Sequence, residues 1–413
     1  MNVSSFIARR VAFTSHHTFS RFIIRLATAA TALSVAAMIL TLAFVNGFQS
    51  AISSKVFSFW GHIHVQQYEP DKSIVAEESP LKKNDTVLNI LTHTPGIIHV
   101  QPYATKSVVL ENNGEIEGLL FKGVDSSYDF NRLQSFLKSG TWIDFKDRLY
   151  SKEIMVSEQI ANLLEVKVGD TVHVYFISPE TASSTARSLR ITGIFKTGIE
   201  EFDKQFAIGD IRLLRRINNW QNDEIGGYEV FVNDYNNIDS VIDRLYEGPD
   251  QLPGAWISRS IKDIYPFIFD WLNIQDVNRN VIFIVMSIIA IINLATCLLI
   301  LVLERTRMVG ILKAVGTDNW MIQKIFLYHA TLISLRGIFY GLAIGGGIAV
   351  LQKYTGFLKL NEAAYYVSSA PVELVWWQVL AVCAGTLVVC FLSLLLPTFF
   401  VRSVQPVRAI QFQ

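Results

Sequence analysis

Three stretches of this 413-residue chain carry no charged side chain: 26–45, 281–303 and 374–401, which are 20, 23 and 28 residues long. A helix that crosses a bilayer needs about 20 consecutive apolar residues, and its backbone polar groups must find their partners inside the lipid. A fourth stretch, 325–352, is interrupted only by His329 and Arg336. Soluble proteins seldom hold several uncharged runs this long. The runs account for a charged fraction of only 17%, where a soluble domain has about 25%, and they exclude a disordered chain. The first run is too long for a secretory signal peptide, and its exit, Asn46-Gly47-Phe48, lacks a small-residue cleavage pattern. Cys297, Cys383 and Cys390 all lie inside these stretches, so they read as packing residues and give no disulfide framework or metal spacing.

The other charges are segregated. Residues 1–25, 304–324 and 402–413 together hold 10 basic and 2 acidic residues, whereas 46–280 holds 23 basic and 32 acidic ones. A net charge of zero argues against a general nucleic-acid binder. The excess of Lys and Arg places both termini and the 304–324 loop in the cytoplasm. The expected order is a cytoplasmic segment 1–25, a span at 26–45, a large extracytoplasmic domain at 46–280 and a second span at 281–303. The cytoplasmic loop 304–324, a span at 325–352, a short outer loop 353–373, a span at 374–401 and a cytoplasmic tail 402–413 complete it. Asn293, inside the second run, needs a hydrogen-bond partner on another helix. Gly341, Gly345, Gly346 and Gly347 suit close helix approach in lipid.

About 230 residues between the first two spans can build a core of their own. Alternating runs at 61–66, 106–110, 171–177 and 190–195 predict strands. Helices are predicted at 157–164, with Ser157 as N-cap, at 211–217 and at 238–246. This is an α+β domain with a strand-rich centre at 105–210, and 178–187 reads as a polar loop between two strands. His62 and His64 alternate on one strand. With no third ligand they read as a surface pair and not a metal site. Glu200, Glu201 and Asp203 read as a solvated acidic loop. No metal ligands are assigned. The dipeptide Gly-Lys occurs nowhere, so the chain holds no Walker A phosphate loop.

The loop at 304–318 is the most specific stretch. Met308, Ile311, Leu312 and Val315 fall at helical spacing, Gly316 suits a left-handed helix end, and Thr317 or Asp318 suits the next N-cap. A short apolar helix with basic flanks fits a groove on a cytoplasmic partner or lies on lipid headgroups.

Here the sequence resembles a known family. ERTRMVGILKAVGT at 304–317 is similar to the coupling loop of FtsX/MacB-type permeases, the type VII ABC transporters. Further patches resemble the lipoprotein-releasing Lol permeases of the C and E type: SFIARRVAF at 5–13, VNGFQSAISSKVFSFWGHIHV at 45–65, VSEQIANLLEVKVGDTVHV at 156–174 and ITGIFKTGIEEFD at 191–203. YYVSSAPVEL at 365–374 and LLPTFFVRSVQPVRAIQF at 395–412 complete the set. The resemblance implies four transmembrane helices with a large periplasmic α+β domain after the first, in a bacterial inner membrane. It implies two permease subunits, the second a copy or a paralogue, on a separate ATPase dimer that binds ATP and Mg²⁺; the chain itself needs no cofactor. The coupling residues would be Glu304, Arg305, Arg307, Met308, Ile311, Leu312, Lys313, Val315 and Gly316. The cargo would be lipoproteins handed to a periplasmic carrier. A MacB-like efflux permease and an FtsX-like mechanotransmitter acting on a cell-wall hydrolase are the alternatives.

Two departures from the family stand out. The carrier-gripping hook of the C-type permease corresponds to 178–187, with Ser178, Pro179 and Arg187, and here it is short. Arg336 falls about 17 Å into its span at 1.5 Å per residue, where it would touch an anionic headgroup or a facing helix, or snorkel. Phe57, Phe59, Trp60, Tyr265, Phe267, Phe269 and Trp271 flank the first two spans, either as an interfacial aromatic belt or as the lining of an entrance for acyl chains.

Overall fold

The computed structural model describes residues 18–69, 79–147, 149–178, 183–247 and 251–393. The chain divides into two compact units: residues 1–50, 271–359 and 369–413 form a helical unit, and residues 51–270 with 360–368 form a β-rich unit. The elements run α1 (Thr18–Trp60), β1 (Ile63–Gln67), β2 (Leu81–Lys82), α2 (Asp85–His93), β3 (Ile97–Asn112), β4 (Glu115–Val124), β5 (Leu137–Gly140), β6 (Glu153–Ser157), α3 (Glu158–Leu163), β7 (Thr171–Ser178), β8 (Ser183–Phe195), α4 (Glu200–Gln205), β9 (Phe206–Asp210) and α5 (Ile211–Ile217). Then follow β10 (Glu224–Ile225), β11 (Gly227–Val232), α6 (Ile238–Glu247), β12 (Trp256–Ser260), α7 (Ile261–Ile264), α8 (Pro266–Glu304), α9 (Thr306–Ala314), α10 (Asn319–Thr355), α11 (Glu362–Tyr365) and α12 (Trp376–Ser393).

In the β-rich unit one mixed sheet has the order β12-β1-β11-β3-β4-β9-β6-β8-β5, with β7 pairing β3 and β8. The parallel pairs are β4 with β9 and β6 with β8. The expected strands are present, but the strand-rich centre at 105–210 is too narrow. Strand β1 pairs β12, so that Ile63 faces Ser260, and the sheet reaches both ends of the unit through pairings that local periodicity does not report. Val108, Leu110, Phe121, Val174 and Phe176 fill its interior. A Cβ on Gly209 would fall 1.8 Å from the Phe121 ring, so β9 can lie beside β4 only with glycine there. Ser157 caps α3 by accepting from the Ile160 N–H.

The polar loop expected at 178–187 is a strand hairpin. Strand β7 runs to Ser178 and β8 starts at Ser183, with Arg187 opposite Val174. Its Ser, Thr and Arg side chains suit the exposed face of a ladder, which composition alone read as a loop. Pro179 lies outside the described residues, as do 1–17 of the N-terminal segment, 394–401 of the last uncharged run and the tail 402–413.

In the helical unit α1, α8 and α10 are each long and apolar enough to cross a membrane, and α12 is an apolar helix of 18 residues. The helices run past the uncharged stretches: α1 starts at Thr18 and continues to Trp60, and α8 starts at Pro266, where a proline at the first helical position loses nothing. Gly337, Gly341 and Gly345 form the close contact. A Cβ on them would meet Thr31 Cβ at 2.7 Å, the Ala32 carbonyl at 2.7 Å and Ala36 Cα at 2.9 Å. Nothing lies within 4 Å of such an atom on Gly346 or Gly347, so the close-packing residues are 337, 341 and 345. Their four-residue spacing keeps one face of α10 against α1. Asn293 donates to the Ala27 carbonyl of α1 at 3.1 Å, which meets the expectation of a partner on another helix.

Candidate functional site

Helix α9 is held by its own chain along one face. Val309 is fully buried among Leu301 and Val302 at the end of α8 and Ile322, Phe326 and Ala330 of α10, with Met308 and Leu312 packed on the same cluster. Its C-terminus closes as a Schellman turn: Thr317 N–H bonds the Leu312 carbonyl, Gly316 N–H bonds the Lys313 carbonyl, and Gly316 sits at φ 89°. Asp318 then caps α10 through the Trp320 N–H. The apolar stripe expected to face a partner therefore splits. Met308 and Leu312 pack inward, while Ile311 (50% exposed) and Val315 (80% exposed) point outward. Arg307 shares that outer side, Glu304 and Gly316 are exposed beside it, and Arg305 and Lys313 are half-buried. Trp320, 56% exposed, and Met321 extend the outward apolar surface onto the first turn of α10. The sequence reading missed both, although a tryptophan directly after the polar Thr317-Asp318-Asn319 was a signal.

The two motifs on either side of the membrane-sized runs come together. A Cβ on Gly47 would fall 2.3 Å from the Pro371 carbonyl. Asn46 donates to the Gln378 side chain at 2.5 Å, Glu373 N–H bonds the Ala43 carbonyl, and Phe48 meets Trp271 edge-on at 5.9 Å. Nearby, α1, α8 and α12 enclose a groove of about 660 Å³. Its walls include Met38, Leu42 and Phe283, and Arg279, Asn280 and Gln378 supply polar groups.

Five of the seven aromatic residues offered as an entrance lining are interior residues. Phe57, Phe59, Trp60 and Tyr265 are buried in the β-rich unit, because α1 runs on beyond its uncharged stretch and its last turn enters that core. Phe269 is buried too, while Phe267 is exposed and Trp271 half-buried. Phe59 stacks on Phe202 at 5.2 Å and Trp60 meets Phe206 at 4.9 Å. At the centre lies Lys122, fully buried, 2.6 Å from Glu229 and 4.2 Å from the Trp60 ring. Its ammonium also bonds the Phe59 carbonyl at the end of α1, where a cation complements the helix dipole. Gln101 donates to the second Glu229 oxygen at 2.7 Å.

The histidines are not a surface pair. His64 is buried; it bonds the Trp60 carbonyl at 2.9 Å and the Tyr103 hydroxyl at 3.2 Å. Burial, then the Lys122 charge, pushes its pKa down to about 3, and burial takes that of His62 to about 4. Asp203 leaves the expected solvated cluster as well. It is buried and accepts from the Thr197 N–H, the Thr197 hydroxyl and the Gly198 N–H. Burial raises its pKa above the usual carboxylate value.

Arg336 is exposed and lies level with the first turn of the first uncharged run. The next residue, Gly337, rests on Thr28 and Thr31 of α1, and Gly345 on Ala36. The two helices thus rise together, and Arg336 stands beside Arg25, the last charge before that run.

Two family models match the chain. Residues 26–246 match the MacB-like periplasmic core domain, and residues 280–406 match the FtsX-like permease C-terminal region. Among similar proteins, a lipoprotein-releasing system transmembrane protein LolC of Neisseria meningitidis is 24% identical over 96% of this chain and 95% of its own length. A lipoprotein-releasing system transmembrane protein LolE of Haemophilus influenzae is 24% identical over 92% of each, and a LolC of Xylella fastidiosa is 22% identical over 92% of each. A core-domain match over more than half of the length, followed by the permease match, means that the chain belongs to the MacB-like, FtsX-like permease family, as a membrane protein with a periplasmic domain.

Proposed function

We propose that this chain is the permease subunit of an ABC transporter that draws lipoproteins out of the bacterial inner membrane for transfer to the outer membrane. The observation that carries the reading is helix α9: one face locked by Val309 into α8 and α10, the other presenting Arg307, Ile311 and Val315. A rigidly mounted apolar ridge beside a cation suits a groove on a separate ATPase, which would bind ATP and Mg²⁺. Its motion reaches α8 and α10 directly, because the same buried cluster joins the three helices. The residues 374–401 supply the fourth span in this reading. A second permease, either a copy or a paralogue, completes the complex, and a periplasmic carrier receives the cargo.

An acyl chain leaving the bilayer loses about 0.8 kcal/mol per CH₂, so release needs both an energy source and apolar cover. The groove between α1, α8 and α12, with apolar walls and Arg279 and Gln378 among its lining residues, is where the lipid of the cargo is covered. The test is affinity purification of the tagged chain from its native membrane. An ATPase and a triacylated lipoprotein are expected in the eluate. Ile311→Asp with Val315→Asp should lower ATPase recovery by at least about tenfold, since a buried unpaired charge costs more than 1.4 kcal/mol. Undiminished ATPase recovery from that double variant, or a cell-wall hydrolase in place of lipoprotein, would sink the reading.

A further inference from the structure

The outer loop between α10 and α12 carries the YYVSSAPVEL patch, and the transport reading gives it no task. Its neck is tightly closed. Gln352, almost fully buried near the end of α10, donates to the Ala370 carbonyl at 2.9 Å and accepts from the Leu358 N–H at 2.9 Å. Ala370 N–H bonds the Leu358 carbonyl, Leu360 N–H bonds the Ser368 carbonyl, and Lys359 pairs with Ser369. Beyond that neck, residues 360–368 belong to the β-rich unit, although the chain on both sides belongs to the helical one.

The tip is held differently. Glu362 bridges Lys196 at 2.9 Å, Lys196 reaches Glu158 of α3 at 3.1 Å, and Lys55 Nζ donates to the Tyr366 carbonyl at 2.7 Å. Gly198 makes the room: it sits at φ 74°, and a Cβ on it would fall 2.5 Å from Glu362 Oε1 and 2.6 Å from Lys55 Nζ. Tyr366 stands at φ 59°, a left-handed conformation that is rare for a bulky residue and persists only where its surroundings impose it. Helix α11 buries no residue, and Val367 is the only buried side chain of 360–368. The neighbouring α3 and α4 are instead held by buried apolar residues, Ile160 and Phe202 among them. A segment fastened by partly exposed ion pairs and one carbonyl can leave its seat without opening an apolar core.

We propose that 360–368 is a releasable strap: fastened by Glu362, Lys196 and Lys55, it clips the α10–α12 loop to the β-rich unit, and it lets go during each transport cycle. A stiff neck behind a weakly held tip is the build of such a device. Force on the neck passes to the tip, and the ion pairs yield before the core does, because local opening starts where buried apolar contacts are fewest. The strap stands on the contacts of 360–368 alone, whereas its part in transport rests on the permease reading above.

The test has two arms, both on the full chain in nanodiscs. In the first, amide hydrogen exchange of 360–368 should be faster in the wild type than that of the central strand β9. Lys55→Met should speed it by about tenfold, the worth of one charged hydrogen bond. Glu362→Gln should speed it by up to about fivefold, the worth of one exposed ion pair. Neither should change exchange in β9 or in the neck at 352–358. Exchange in 360–368 as slow as in β9, or unmoved in the Lys55→Met, Glu362→Gln double variant, overturns the strap. In the second arm, Lys196→Cys with Glu362→Cys is closed by a short bis-maleimide, and the chain is assembled with its co-purified ATPase and lipoprotein. Closure should abolish lipoprotein release, while the two single-cysteine chains, treated alike, release normally. Release undiminished by closure overturns the proposal that the strap lets go in transport. Recovery of no ATPase would sink the permease reading, and the exchange arm would still decide the strap.

Discussion

In the β-rich unit a fully buried position is given to a charge: Lys122 and Glu229 are both inaccessible, 2.6 Å apart, inside a ring of Phe59, Trp60 and Tyr128. In the helical unit the closest contacts are made by residues with no side chain, Gly337, Gly341 and Gly345 against α1. The contrast follows from the solvent each unit answers to. A domain in water gains from burying apolar area, and the surplus covers one desolvated pair that fixes how the parts meet. Helices in lipid gain nothing by hiding apolar surface from one another, so contact must come from backbone proximity and van der Waals packing.

The strongest way to break this contrast is to remove one half of the buried pair. Lys122→Met should cost about 3–5 kcal/mol, because Glu229 is left buried and uncompensated. Lys122→Met with Glu229→Leu should recover most of that loss. Urea unfolding of the full chain in detergent, read by protease resistance of the β-rich unit, measures both; equal losses from single and double variants would mean that the pair is not coupled.

The same assay sharpens the comparison through pH. The folded unit holds the His64 pKa near 3, against 6.5 for an ordinary histidine, so below pH 6.5 the unfolded chain takes up a proton that the folded unit refuses. Stability from this residue is complete above pH 6.5 and declines as the pH falls toward 3, by about 2 kcal/mol at pH 5. His64→Gln should flatten that part of the profile, and a slope unchanged in the variant would assign it to other groups.

In the helical unit, Gly341→Leu should destabilise by about 1–3 kcal/mol through overpacking, seen as a lower melting temperature in detergent, whereas Gly347→Ala should leave it unaltered. Equal effects from the two would remove the distinction between the packed and lipid-facing glycines. The smallest effect expected is at Glu362 of α11, which bridges Lys196 at 2.9 Å with both side chains about a third exposed. Glu362→Gln should shift stability by no more than about 1 kcal/mol, with the shift reduced by salt.

Legibility in the sequence followed the range of the interaction. Ser157, Gly316 and Asp318 act on backbone groups a few residues away, and their roles as caps were readable from residue type and spacing. In α9 the helix was legible but its two faces were not. Met308 and Leu312 differ from Ile311 and Val315 only in which of them meets Val302 and Phe326, residues of other helices. The entrance aromatics failed for the same reason. Their place near the spans was visible, but the continuation of α1 into a core built around Lys122 was not.

The sequence by itself determined where the membrane-sized helices lie, which loops carry the positive charge and which patches resemble the permease family, since uncharged runs, charge counts and local motifs are properties of the chain. The tertiary structure alone decided that Lys122 and Glu229 form a buried pair, that Pro371 rests on Gly47, and that Arg336 stands beside Arg25 at the start of the first run. Each of these joins residues that are far apart in the chain, and a side chain's partner across such a gap is set by how the elements meet and not by its neighbours in sequence.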